Sequence, residues 1–408
     1  MNDLPEGVEA ALELIDGFDD VLVHGFARIG EERAASLAAL AAALASTPLG
    51  DGVREAVEKV IAGSITDEHL TTLAGARTAL LGAVHDALLG TLERRRLSWD
   101  GEVGARRHRH QQWLTEVAIT GWRGVSHDLV SAADHPIEAL LADPATRGQA
   151  VLLDGLAAEL RASSPVATMD EVPARRWADL WARAMLSYEA EIPREAVSGR
   201  LLILGVDVLE HGTAVQLQVH GVLEGAEPRL VRASVTVGKV DTIVGPAVWR
   251  LFADYPILLA AIGQQRSLDV RDLELLATGD LVWREGAATL GEPADPFATA
   301  RIHLGQALAP AVAPLDRHPV RISEPVLLEG DHGLEFAEPS GSGPLTSAIL
   351  KSATACIGLL RWDGRWVVQP LAAQSKKKTV HNGDLALNEK GGDVVVLLKE
   401  RAGRLLRR

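Results

Sequence analysis

Apolar positions in the first half of the chain recur at steps of three and four. Leu70, Leu73, Leu81, Val84, Leu88 and Leu92 keep that period across residues 66–96, which lays one apolar stripe along a helix. Thr66 or Ser64 can cap its start, and Asp67 and Glu68 suit the positive helix end. Shorter helices are predicted over Glu31–Ala45 and Val53–Ala62, separated by Pro48-Leu49-Gly50. Further helices are predicted at 104–132 and Gln149–Ala162. Asp134-His135-Pro136 reads as a turn in which Asp134 offers a cap. A last helix begins at Pro173, a favoured first-turn residue. It places Trp177, Leu180 and Trp181 on neighbouring turns, a pattern of core or interface packing.

At Gly199 the period changes. Residues 201–208 and 215–222 read as strands, the second alternating apolar and polar as a half-buried strand does. His211-Gly212-Thr213 connects them tightly. The β pattern continues through 229–244, and short helices are predicted near 246–263 and 296–308. More strands are expected at 267–276, 319–328 and 333–337. A helical half followed by a sheet-rich half is α+β order, unlike the βαβ alternation of a nucleotide-binding domain.

Glu338-Pro-Ser-Gly-Ser-Gly-Pro344 combines flexible Gly and Ser with two breakers, the composition of a linker. Beyond it, Ile357–Trp362, Asp363-Gly364 and Arg365–Gln369 form a hairpin signal, because Asp-Gly tolerates a type I′ turn. Asn382-Gly383 marks another turn and Val394–Leu398 another strand. The expected architecture is therefore an α+β multidomain chain. It has an N-terminal all-α helical domain (1–195), a central mixed α+β domain (198–338), and a small basic β-rich C-terminal module (345–408) behind a linker at 338–344.

Composition adds limits. With 47% apolar residues among 408, the chain can bury a large core and is not a disordered tail. One cysteine, Cys356, excludes an internal disulfide framework. The first ten residues lack the basic start of a secretory signal. The longest uncharged stretch, 17 Ala-rich residues from Ala34 to Gly50, falls short of the roughly 20 apolar residues of a spanning helix. These features predict a cytoplasmic chain without membrane partners. Arg preferred over Lys, with abundant Ala, points to a GC-rich bacterial coding background.

The net charge of −14 is unevenly spread. Residues 1–93 carry −11, whereas 94–123 carry +4 and 347–408 carry +7. The first basic island holds Arg94, Arg95, Arg96, Arg106, Arg107 and Arg109, interleaved with Trp99, Trp113 and Trp122. The second holds Lys376, Lys377, Lys378, Arg401, Arg404, Arg407 and Arg408, with Trp362 and Trp366 in the neighbouring hairpin. Arg beside aromatic rings can hold phosphates and stack on bases. The same surface suits an acidic protein face, including the N-terminal half of another copy.

Reaction-specific motifs are missing. No G-x-S-x-G elbow occurs, and Cys356 lies in the apolar run Ala353-Thr-Ala-Cys-Ile, which disfavours a thiolate. No H-E-x-x-H occurs, and His108-x-His110 at a helix start sends its two rings to different faces. Gly341-Ser-Gly343 lacks the G-K-[ST] of a phosphate loop. No catalytic residue, metal or cofactor is expected. The set closest to catalytic chemistry is Asp207, Glu210, His211 and His220 in the first β hairpin. The helix segment Arg175–Leu186, RRWADLWARAML, resembles bacterial proteins encoded beside AAA+ ATPases and von Willebrand A-type partners. That resemblance covers one helix and implies an ATPase-associated protein partner. The expected function is a non-catalytic structural or adaptor protein docking through its basic C-terminal module, by partner binding or self-association. A nucleic-acid-associated protein using both basic islands is the alternative, and an enzyme of unrecognised type follows.

Overall fold

A computed structural model describes residues 4–93, 112–142, 146–186, 194–212, 214–225, 227–240, 242–305, 307, 324–330, 333–362, 365–376, 378–387 and 399. The chain is an α+β multidomain protein, with helices first, a mixed sheet next and a smaller sheet towards the C-terminus. Among the described residues no helix is long and apolar enough to cross a membrane.

Among the described residues, nine helices build the first part: α1 (Val8–His24), α2 (Glu31–Leu44), α3 (Gly50–Ile61), α4 (Asp67–Glu93), α5 (Gln112–Thr120), α6 (His127–Ser131), α7 (Asp134–Ala142), α8 (Arg147–Ala162) and α9 (Ala174–Leu186). The apolar stripe of α4 is buried at Leu70, Leu73, Leu81, Val84 and Leu88. The Thr66 hydroxyl accepts from the His69 amide at 3.3 Å and so supplies its cap. Trp122, Trp177 and Trp181 fill the centre with Phe18, and the rings of Trp122 and Trp177 meet edge to face.

A ladder of alternating charge crosses this core. Arg77 of α4, fully buried, donates to both carboxylate oxygens of Asp19 on α1, at 2.6 and 3.1 Å. Arg175 lies 3.0 Å from the same carboxylate and also bonds Asp16. Asp179 stands 3.7 Å from Arg77 and 3.1 Å from Arg183. Burial works against the Arg77 charge, yet Asp19 and Asp179 raise its pKa above the ordinary guanidinium value.

The continuous helix expected over 104–132 is corrected in its described part. Helix α5 stops at Thr120, and a 3₁₀ turn at Trp122–Gly124 separates it from α6. Gly121 is the cause, with φ at +77°. There its backbone passes against Gly25 at the end of α1, so closely that a Cβ would overlap the Gly25 nitrogen. The Phe26 and Ala27 amides donate to the Ala118 and Ile119 carbonyls across this crossing, both at 3.1 Å. Gly121→Ala should therefore lose at least about 2 kcal/mol, since positive-φ strain and a backbone clash add. Urea unfolding of this variant beside Gly148→Ala, at a helix glycine with open space around it, measures the difference.

The central unit is a closed barrel. Strand β1 (Arg194–Glu210) pairs with β2 (Ala214–Leu223) along one half and with β4 (Arg266–Leu276) along the other. Between them run β3 (Arg229–Gly238), antiparallel to β2, and β5 (Asp280–Val282), parallel to β3 and antiparallel to β4. The circuit β1-β2-β3-β5-β4 thus returns to β1. Irregularities at Val197/Gly199 and Ile203/Gly205 bend β1 enough to serve both sides. A 3₁₀ segment (Gly245–Phe252) and α10 (Pro256–Gln264) connect β3 to β4 and close the core with Trp249, Phe252 and Ile262. This is the connectivity of a five-stranded Greek-key barrel of the OB type. Strand β6 (Ala288–Pro293) adds to the outer edge of β4.

After α11 (Pro296–His303) come the strands of the smaller sheet: β7 (Pro325–Glu329), β8 (Glu335–Phe336), β9 (Ala355–Trp362), β10 (Trp366–Gln374) and β11 (Thr379–His381), with the short α12 (Ser347–Lys351) between β8 and β9. The hairpin signal at 357–369 corresponds to β9 and β10. The strand expected at Val394–Leu398 lies outside the described residues. Segment 338–344, read as a linker, runs between two parts of this one sheet, since β7 pairs β9 and β8 pairs β10. It is also held down. Ser342 is buried, its hydroxyl donates to Glu210 at 2.7 Å, and its carbonyl accepts from the Trp249 indole at 2.8 Å.

The smaller sheet is the middle layer of the molecule. Ile357, Leu359, Leu371 and Ala372 pack against Leu202, Leu204, Val222 and Leu230 on the outside of the barrel. Cys356, Leu360, Val368 and Ala373 face the other way, onto Val8 of α1 and Val84, Leu88 and Leu89 of α4. Burial there pushes the Cys356 thiol up to about 12.

Candidate functional site

Strand alternation sorts the barrel residues into two faces. Val215, Leu217, Val219, Val231, Ala233 and Val235 point inward. Their neighbours Gln216, Gln218, His220, Arg232, Ser234 and Thr236 therefore share the outer face with Asp207. This polar row continues the apolar patch covered by the smaller sheet. Arg361, reaching down from β9, donates to Asp207 at 2.7 Å. Both are largely buried, with side chains 15% and 3% exposed. Arg232 pairs with Asp280 of β5 at 2.6 Å. Gln218 donates to Gln216, which donates to Thr236.

His220 sits inside this row, 1% exposed, opposite Gly205 on one neighbouring strand and Arg232 on the other. Its Nε2 has no hydrogen-bond partner. Burial holds the imidazole well below its ordinary pKa, and the Arg232 and Arg361 guanidiniums add to that effect. The ring is neutral at physiological pH.

The seam around the row is tight. A Cβ on Gly205 would stand 2.6 Å from the Leu371 Cβ, so the glycine sets the approach of β1 to β10. Asn382, 1% exposed, donates from one amide nitrogen to the Val206 carbonyl of β1 and the Pro370 carbonyl of β10, at 3.1 and 3.0 Å. Pro370 lies where the β9–β10 register shifts. Asn382 is thus a peg between barrel and sheet.

The four hairpin residues with catalytic potential separate. Only Asp207 and His220 share the outer row. Glu210 turns to the barrel end, where it accepts from Ser342 and from the Gly245 amide at 3.2 Å, with Lys239 at 3.7 Å. His211 leaves the barrel and packs on α8, where a Cβ on Gly155 would meet its ring at 3.1 Å. Burial lowers the His211 pKa, with Asp154 opposing and Arg183 reinforcing the shift. Among the described residues no three His, Cys, Asp or Glu side chains converge as a metal-ligand set.

The basic islands lie mostly outside the described residues: Arg94, Arg95, Arg96, Arg106, Arg107, Arg109, Lys377, Arg401, Arg404, Arg407 and Arg408. Lys376 and Lys378 are exposed in the turn joining β10 to β11. Ser375 shapes that turn, its amide donating to the Lys378 carbonyl at 2.9 Å and its hydroxyl accepting from the Lys378 amide. Trp362 and Trp366 are backbone partners at the other end of the hairpin. Trp366 is half-buried against the layer that faces the helices. The length of β10, about 26 Å at 3.3 Å per residue, separates the backbone of these tryptophans from the lysine turn.

From the sequence, Arg361 and Gly205 have no functional place, and Asn382 counts only as part of a turn. A charged residue or a glycine inside an apolar strand is the one signal that Arg361 and Gly205 carry. No protein-family model, curated protein or solved structure matches this chain.

Proposed function

We propose that this chain is a non-catalytic structural or adaptor protein of a bacterial cytoplasmic assembly, docking an acidic partner surface through its basic C-terminal part. The observation that carries this reading is the position of the smaller sheet. It is packed on one face by the barrel and on the other by α1 and α4, so the turn that carries the exposed Lys376 and Lys378 is presented by a rigid support. A preorganised charged turn costs little ordering entropy on binding. The outer face of the barrel, the surface used by OB-type barrels for oligonucleotides, is occupied internally by β9 and β10, which favours a packing role for that face.

Charge reversal tests the reading. Lys376→Glu with Lys378→Glu, at exposed positions, should leave stability within about 0.5 kcal/mol. Tagged wild-type protein purified from its native cells should retain a partner at fixed stoichiometry, and the reversed variant should bind the isolated partner at least about tenfold more weakly. Wild-type binding should also weaken as salt rises. Equal binding by both proteins overturns the assignment of the turn. Self-association is read from the same pair by analytical ultracentrifugation.

The OB-type connectivity favours one second reading, a nucleic-acid-associated protein using Arg94–His110 and the C-terminal basic residues. Against it, the outward residues of β2 and β3 include no Phe, Tyr or Trp, the usual platforms for stacked bases, and the one imidazole there, His220, is buried. Fluorescence anisotropy with labelled single and double strands at low salt decides, because phosphate contacts give a steep salt dependence. Flat anisotropy at low salt excludes this reading.

A further inference from the structure

The geometry points to an acid-sensitive latch: the smaller sheet clamps the outer face of the barrel over His220, and protonation of that ring releases the clamp. The inference concerns an internal contact and stands whether or not the lysine turn docks a partner.

Three observations meet at one place. First, the cover is intramolecular. Arg361 of β9 bonds Asp207 of the outer polar row, and Leu359 packs on the adjoining apolar patch of β1, β2 and β3. Second, every charge facing His220 has an assigned partner. On β1, Asp207 is taken by Arg361 of β9, and on β3, Arg232 is taken by Asp280 of β5. The remaining neighbours on the row, Gln216, Gln218, Ser234 and Thr236, are uncharged. Among the described residues facing the ring, no carboxylate is left over for an imidazolium. Third, the ring is 1% exposed and its Nε2 is without a partner, so water does not solvate a proton added there.

A proton on His220 would place a third positive charge between two guanidiniums in a dry seam. The seam can relieve it only by opening to water. The sign follows from linkage. The folded-state pKa is depressed, so the closed form binds no proton between that value and about 6.5, whereas the open form does. Closure is therefore fully favoured above pH 6.5 and weakens as pH falls below it, by about tenfold in the open-to-closed ratio per pH unit. His211 shifts in the same direction, but it lies at the contact with α8. Its effect belongs to a different seam.

Native-state hydrogen exchange on the full chain between pH 5 and 7.5, corrected for intrinsic rates, tests the latch. Amides of β9 and β2 should lose protection about tenfold per pH unit below 6.5, at an opening free energy below that of the α4 amides. His220→Gln should abolish that slope, and His211→Gln should keep it. A flat wild-type profile overturns the latch, as does an unchanged slope in His220→Gln. If α4 opens together with β9 at the same free energy, acid unfolds the whole chain and the latch is also excluded. Should His220→Gln fail to fold, ring nitrogen chemical shifts of wild-type His220 give the same answer. A ring that stays neutral in the closed form well below pH 6.5 is expected, and titration near 6.5 without loss of structure overturns it.

Discussion

Asp207→Ala is expected to cost about 3–5 kcal/mol, because it strands the Arg361 guanidinium in the seam between barrel and smaller sheet. The pair is nearly dry, and breaking a buried pair by removing one partner leaves an uncompensated charge. The stranded charge also faces His220, whose neutral ring offers it no counter-charge. Replacing both partners, Asp207→Leu with Arg361→Met, removes the charges together and should recover most of the loss, since apolar substitutes of similar size often match a buried ion pair. Urea unfolding of the single and double variants forms the comparison. A double variant as unstable as the single one would show that the pair itself, and not the orphaned charge, holds the seam. Asp207→Ala should also expose β9 to exchange more than α4, because the damage lies between the layers.

Arg77→Ala should have an effect of similar size, about 3–5 kcal/mol, located in the helices. Arg77 bridges α1 and α9 from α4, and its removal opens two links of the ladder at once, to Asp19 and to Asp179. Asp19 keeps only Arg175, and the volume of a large, fully buried side chain is emptied. Arg77→Met keeps the volume but not the charge. The difference between the two variants separates cavity from electrostatics. If Arg77→Met is as stable as wild type, the ladder contributes specificity of helix register and little net stability. Asp207 pairs with Arg361 between barrel and smaller sheet, whereas Arg77 pairs with Asp19 and Asp179 among the helices, so the two losses should add within about 0.5 kcal/mol.

Much of the local structure was legible from periodicity. The stripe of α4, the start of α9 behind Pro173 and the β1–β2 and β9–β10 hairpins all follow from spacing that a local segment enforces by itself. Helix α1 has the same kind of stripe in Ile15, Phe18 and Leu22, yet no separate element was read there. The break at Gly121 depends on Gly25, almost a hundred residues away, and only the crossing explains it. The linker signal at 338–344 illustrates the same limit. Gly and Ser report that a segment can turn, whereas burial of Ser342 depends on Trp249 and Glu210 from another unit. The basic C-terminal composition drew attention to lysines and tryptophans, which the strand length holds apart. The residues that join the layers came without a charge run or motif. Asp207 and Arg361 are 154 positions apart, and one clue was local: residues 355–361 are apolar at both alternations apart from Arg361, as a strand buried on both faces must be.

The middle-layer position of the smaller sheet has a consequence for the order of synthesis. The last barrel strand ends at Val282, and β10 ends at Gln374, 92 residues later. At typical translation rates that interval lasts about 5–20 s. Early in it, Leu202, Leu204, Val222 and Leu230 have only Phe297, Ala300 and Leu304 from the α11 region against them, and the cover is completed as Ile357 and Leu359 of β9 and then Leu371 and Ala372 of β10 are made. The nascent chain thus passes through a stage in which a finished barrel carries an open, sticky side, and chaperones or slow elongation over residues 282–374 would matter most there.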